Sequence, residues 1–178
     1  MSEYQAAHVH IPPDRMRVWR FHPLVWVLLP LAALLIQFYA RRFVHFLSYL
    51  ELPLLVTVYF ALMRRQPLAG AMAGCAIGLA EDSLTPQYLG MYGIANTVIG
   101  YLAGSISLRF DSENHGLRFL VAFGFFIAHQ CFYWLLVHSL LGTGETFQVP
   151  QTLIAAFLNA VIALPLFHLF DRLKSEAQ

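Results

Sequence analysis

The chain has 178 residues, 58% of them hydrophobic and only 12% charged, with a mean hydropathy of +0.60 and a formal net charge of +1. A soluble domain ordinarily carries about 25% charged residues, so this composition leaves too little polar surface to cover a core in water. The apolar residues also fall in long blocks, which makes the bilayer the expected solvent. The near-neutral charge and the lack of a basic patch give no case for a nucleic-acid partner.

Residues 1–22 are mixed in character and carry Arg15, Arg17 and Arg20 ahead of the first apolar block. No small-residue cleavage site follows that block, so this segment is expected to be a cytoplasmic tail rather than a cleaved signal. The tail is suited to lie disordered or on the inner leaflet. Six apolar blocks then follow at 23–40, 47–63, 67–82, 88–108, 117–141 and 152–170, and together they define a transmembrane domain over 23–171 with a cytoplasmic tail at 172–178. The expected fold is all-α and polytopic, with six transmembrane helices in a compact bundle.

The first block opens with Trp19, Phe21 and Trp26 near its start, where amphipathic rings favour the headgroup layer. Pro30 and Pro165 lie inside the first and last blocks and should kink them. Pro53, Pro67 and Pro150 fall near helix starts, where a missing amide proton costs least. Glu51 leads the second block, and Arg64 and Arg65 close it. The third block is the shortest: its 16 or so residues rise only about 24 Å as a helix, which leaves a re-entrant hairpin open. The loop at 109–118 is polar, and 142–151 is the longest clear external turn.

Charge bias chooses between the two threadings. With six crossings and a cytoplasmic N-terminus, Arg15, Arg17, Arg20, Arg64, Arg65, Arg109, Arg118, Arg172 and Lys174 lie inside and only Arg41 and Arg42 outside, nine against two. If the third block fails to cross, the count becomes five against six. The positive-inside rule therefore favours six spans with both ends in the cytoplasm.

The third block reads "GAMAGCAIGLAEDS", with Gly70, Gly74 and Gly78 continued at the same spacing by Asp82. Each glycine costs about 1 kcal/mol inside a helix relative to alanine. A small-xxx-small series repays this in lipid by letting a second backbone approach closely. Gly100 and Gly104 form a shorter series in the fourth block, so these two spans are expected to pack together. Asp82 should then face a neighbouring helix. With Arg64 and Arg65 at the inner surface, Glu81 and Asp82 arrive at the outer surface, where hydration removes most of the cost of a carboxylate. Glu51 reaches the same level. These three acids are the candidate partner-binding residues, with Arg41 or Arg42 as counter-ions.

Other chemistry has weaker signals. Cys75 and Cys131 lie in apolar blocks and read as small hydrophobes, with neither a disulfide nor a metal site implied. His8 and His10 form a lone HxH in the tail; His129 and His138 lie about a quarter-turn off a common face and, with Gln130, read as interhelical hydrogen-bonding groups. His168 with Asp171 fits the inner surface. Ser83 beside Asp82 has no fixed base, His45 being the nearest by topology, and no phosphate-cradling glycine loop with its lysine occurs. No enzyme, metal or cofactor is expected.

The run from Glu51 to Gly104 resembles MreD, a family of bacterial rod-shape-determining membrane proteins. The likeness lies in the order of Glu51, Tyr59-Phe-Ala-Leu62, Arg64-Arg65, Gly78-Leu-Ala-Glu-Asp82, Leu89-Gly90 and Gly100-Tyr-Leu-Ala-Gly104. The late stretch 163–173 resembles the family's last span, with Leu164-Pro165 where Trp-Pro is common, and Glu51 replaces the more usual Asp. The resemblance implies a non-enzymatic component of the elongation complex in the inner membrane. Such a component would bind MreC and help connect MreB filaments to RodA and its transpeptidase in lateral peptidoglycan synthesis. It implies a fold similar to the S-components of energy-coupling-factor transporters. That likeness raises an alternative, a vitamin or other solute bound among Asn96, Tyr101, Gln130, Asn159 and the acids, although the first block offers only Ala32-Ala33 as small residues for docking a transporter partner.

Overall fold

The computed structural model describes residues 23–43, 49–85, 88–107, 115–142 and 146–172, without the side chains of Pro23 and of 40–43. The expected tails at 1–22 and 173–178, with His8 and His10, and the side chains of Arg41, Arg42, His45 and Arg109 lie outside the described residues and side chains. Six helices follow in chain order: α1 (Pro23–Phe43), α2 (Leu52–Arg64), α3 (Pro67–Leu84), α4 (Met91–Ser107), α5 (His115–Leu141) and α6 (Val149–Asp171). Each predicted block carries one helix. The third is a single continuous helix of 18 residues rather than a hairpin. Two of the six, α5 and α6, are long and apolar enough by length and composition to cross a membrane.

The largest boundary error is in α2, which begins at Leu52 rather than 47. The reason lies outside the local pattern. Asn159 on α6 donates from Nδ2 to the Tyr49 carbonyl (2.7 Å) and accepts the Glu51 amide at Oδ1 (2.9 Å), which ties the backbone just ahead of α2 to another helix. Pro53 then sits in the first turn, where its missing amide leaves one fewer orphan donor.

At 13 residues α2 is only about 20 Å long, and nearly every residue from Leu52 to Met63 is buried. It is the axis of the bundle, touching all five other helices. Around it α3 and α4 form the closest pair, antiparallel, while α5 and α6 pack mainly on each other. Among the described residues α6 meets only α2 and α5, and α1 only α2 and α3.

The glycine stripe explains the closeness of α3 and α4. A Cβ built at Gly70 would overlap the Gly100 carbonyl oxygen, one at Gly74 the Asn96 carbonyl oxygen, and one at Gly78 the Tyr92 carbonyl oxygen. The same added carbon would stand 3.0 Å from the Ala61 Cβ at Gly70 and 3.2 Å from the Thr57 Cγ2 at Gly74, so the stripe lies in the junction of three helices. Gly104 meets Gln66 and Pro67 in the same way.

Outside this junction the surface is apolar. On α1, Leu24, Val27, Leu28, Leu31, Leu35 and Ile36 are exposed, and α5 and α6 likewise expose residues such as Leu120, Leu135, Ile154 and Phe157. In water such a surface would drive aggregation; a lipid environment is its natural complement.

Candidate functional site

Polar groups collect at the two ends of α2. At its N-terminal end the structure gathers Glu51, Glu81 and Asp82, only 6%, 4% and 4% exposed. This corrects the expectation of hydrated acids at the outer surface: all three point into the bundle. Side-chain amides hold Glu51 and Glu81, and a helix N-terminus holds Asp82. Each N-terminus carries roughly half a positive charge and several unpaired amides.

Asp82 shows this most directly. Its Oδ1 accepts the Tyr92 amide (3.1 Å) and its Oδ2 the Gly93 amide (2.9 Å), so a residue of α3 caps the first turn of α4. Both bonds are charge-assisted, the stronger kind. The spacing that continues the glycine stripe places this carboxylate where the two backbones are closest.

Glu51 stands at the N-cap of α2, but its side chain makes no cap bond. Gln37 of α1 takes that role instead, accepting the Leu52 amide at Oε1 (2.6 Å) while its Nε2 donates to Glu81 Oε1 (3.3 Å). Asn96 Nδ2 donates to Glu81 Oε2 (3.4 Å). The Glu51 carboxylate turns to α5, where Gln130 Nε2 donates to Oε1 (2.7 Å) and His129 Nδ1 lies 3.2 Å from Oε2. That last pair is close enough for an ion pair but poorly aligned for a hydrogen bond, which leaves Oε2 and both imidazole nitrogens buried without a hydrogen-bond partner. The His129 ring lies parallel to Tyr92 and Tyr133, at centroid distances of 6.0 and 6.4 Å.

The arginine end is simpler. Arg118, at the start of α5, meets Asp171 at the end of α6 with Nη1 to Oδ2 at 2.6 Å, and the Tyr59 hydroxyl of α2 donates to Asp171 Oδ1 (2.8 Å). Arg64 lies over the Trp26 ring at 4.5 Å, and Trp26 stacks on Phe60.

Of the residues singled out in the sequence, Asn96, Gln130 and Asn159 join the buried network, whereas Tyr101 is exposed on α4 and belongs to no cavity with them. His138 stacks on Trp134, away from His129's cluster, and His168 is exposed while Asp171 is paired. Cys75 and Cys131 are free thiols. Ser83 donates to the Leu79 carbonyl. Sequence reasoning missed Gln37 and the Arg118–Asp171–Tyr59 cluster. A lone amide in the apolar run of α1 was the available signal for the first. For the second, it was a cation and an acid at matching ends of a two-helix hairpin.

A pocket beside Glu81, lined by Leu34, Gln37, Phe38, Pro53 and Thr85, has about 30 Å³ of free space, enough for a water molecule. Solute sites need several hundred Å³. Of the polar groups that the solute reading required, Gln130, Asn159, the Asn96 amide nitrogen and the acids are engaged with one another and with backbone groups, and Tyr101 lies apart from them.

A family model described as rod shape-determining protein MreD matches residues 19–173, a span that includes all six helices. No curated protein and no solved structure matches the chain.

Proposed function

The chain belongs to the MreD family of rod shape-determining membrane proteins, and from that premise we propose that it is a six-pass inner-membrane scaffold with both termini in the cytoplasm. In this reading it binds MreC directly and, with it, helps couple MreB filaments to lateral peptidoglycan synthesis by RodA and its transpeptidase. The single observation that carries the reading is the family match across the whole bundle.

The structure supports a role in presenting surfaces. The acids are buried and engaged within the bundle, and much of the outer surface of α1, α5 and α6 is apolar and available to lipid or other spans. Glu51, Glu81 and Asp82 would serve partner binding indirectly, by fixing how α2 and α4 end at the outer face. The glycine contacts of α3 and α4 would hold that face in shape. The helix arrangement is proposed to be that of the energy-coupling-factor S-components.

Complementation tests the proposal. Expressed in a rod-shaped bacterium lacking its own MreD, the chain should restore rods and co-purify with MreC. Round cells and an empty pull-down at normal membrane levels would overturn it.

A further inference from the structure

Arg64 closes α2 and is exposed, and its guanidinium lies over the Trp26 ring of α1, 4.5 Å from the ring centre. Trp26 is itself stacked on Phe60 of α2, with ring centroids 4.3 Å apart, and Phe60 is only 1% exposed. The cation therefore rests on an aromatic shelf anchored in the core. The last carbonyls of α2 favour a positive charge here, and the shelf fixes where that charge sits. Among the described residues no acid pairs with Arg64 and no oxygen accepts from its side chain. An aromatic ring attracts the charge but supplies no oxygen, so the N–H donors of the guanidinium stay available to an anion of planar or tetrahedral oxygens.

The surroundings are short of negative charge. Arg65 follows, half-buried and with φ 51, a left-handed conformation that glycine adopts at lower cost. The connection from α2 to α3 is only Arg65 and Gln66, so a second arginine occupies a turn position where the backbone would prefer glycine. At this end of the bundle the described residues hold Arg64, Arg65, Arg118 and Arg172 against a single acid, Asp171, which Arg118 and Tyr59 already engage.

The flank of Arg64 is apolar. Leu24, Val27 and Leu28, all within two residues of Trp26, are exposed on α1, and Leu68 is exposed at the start of α3. In the proposed threading this level is the inner surface of the membrane. An anion held at Arg64 then has water on one side and hydrocarbon on the other. A free phosphate would satisfy the charge and leave the apolar flank bare, whereas a phospholipid uses both.

We infer that the Arg64–Trp26 corner is a binding site for one anionic phospholipid of the inner leaflet. Arg64 donates to the lipid phosphate, Trp26 and Phe60 hold the guanidinium in place, and an acyl chain lies along Leu24, Val27 and Leu28. The surplus of arginine charge selects against head groups that carry their own cation. This inference rests on the six-pass reading above and not on any contact with MreC.

The test titrates the full chain in detergent with phosphatidylglycerol or phosphatidylcholine of identical acyl chains, and counts bound lipid by native mass spectrometry. One phosphatidylglycerol should be retained at concentrations where phosphatidylcholine is not. Arg64→Gln should weaken that binding about fivefold, the effect of one basic residue near a membrane surface. Trp26→Leu should weaken it too, by freeing the guanidinium. Arg172→Gln removes an exposed cation from the same end of the bundle but not from the shelf, and should change binding far less. Equal retention of the two lipids by the wild type overturns the site, and this comparison needs no variant to fold. Equal losses at Arg64 and Arg172 would mean diffuse attraction and overturn it as well. Displacement of the lipid by an equal concentration of inorganic phosphate would assign the corner to a free anion instead. Rods restored by a chain that shows no lipid preference would sink this site alone, and a retained lipid without rods would sink the scaffold reading alone.

Discussion

Adding one methyl group at Gly74 puts a carbon well inside 3.0 Å of the Asn96 carbonyl oxygen, an atom of a helix backbone that cannot step aside. Overpacking of a tight core costs about 1–3 kcal/mol, and here the strain must be relieved by moving α3 off α4. Gly74→Ala should therefore lower the melting temperature in detergent, and Gly74→Leu should abolish the native fold and any assembly that depends on it. Gly124 is the internal control: its added Cβ would meet nothing within 4 Å. Gly124→Ala should leave the melting temperature unchanged or raise it, since alanine is favoured over glycine in a helix by about 1 kcal/mol. Equal losses at both positions would show that propensity, not contact, governs the stripe. Asp82 is decided at the same scale. Asp82→Ala strands two amides, of Tyr92 and Gly93, at about 1–3 kcal/mol for each unsatisfied group. Asp82→Asn keeps an accepting oxygen and should recover part of that loss. If alanine and asparagine unfold at the same temperature, the carboxylate does not cap α4.

Among the elements, the α5–α6 hairpin depends on contacts that no local pattern announces. Arg118 and Asp171 are 2.6 Å apart across the two ends of the hairpin, with Tyr59 closing the cluster from α2. Removing the arginine takes the cation away from Asp171, which is partly exposed, so Arg118→Leu should cost less than the roughly 3–5 kcal/mol of a fully buried broken pair. Tyr59→Phe, which removes one bond to a charged group, should cost about 1.5–3 kcal/mol. A double-mutant cycle on Arg118 and Asp171 should return a coupling above 1 kcal/mol in unfolding experiments, and additive losses would deny the pair. Helices themselves were legible: hydropathy places all six, prolines mark the starts of α2, α3 and α6, and the glycine spacing points to the α3–α4 contact. The acids were legible as anomalies but not as caps. Hydropathy ranks a carboxylate by its distance from water, while Asp82 and Glu51 are held by amides and an imidazole 10 or more residues away in sequence. The start of α2 was misplaced for the same reason, because the backbone just ahead of it is tied to Asn159, 108 residues from Glu51.

For the whole molecule, the two ends of α2 separate charge. Glu51, Glu81 and Asp82 lie about one end, and Arg64, Arg65 and Arg118 lie about the other, with Asp171 neutralised by its partners. Tyr59 follows Glu51 by about 12 Å of helix rise, so the carboxylate and arginine levels are separated by a layer containing Val56 and Ala163, each fully buried. A bundle with this polarity has a preferred direction in a membrane, since arginines near helix ends are retained on the cytoplasmic side. Neutralising Arg64 and Arg65 together should weaken that preference, because these two lie on the single turn between α2 and α3 that the third crossing depends on. Reporters fused after residue 178 and inserted at 143–145 give the measurement: in the wild type the first should be active only inside the cell and the second only outside. In Arg64→Gln/Arg65→Gln a fraction of molecules should lose that segregation, with both reporters found on both sides. A wild-type carboxyl terminus found outside the cell would overturn the proposed threading, because α6 ends at the arginine level and the end that carries the acids would then face inward.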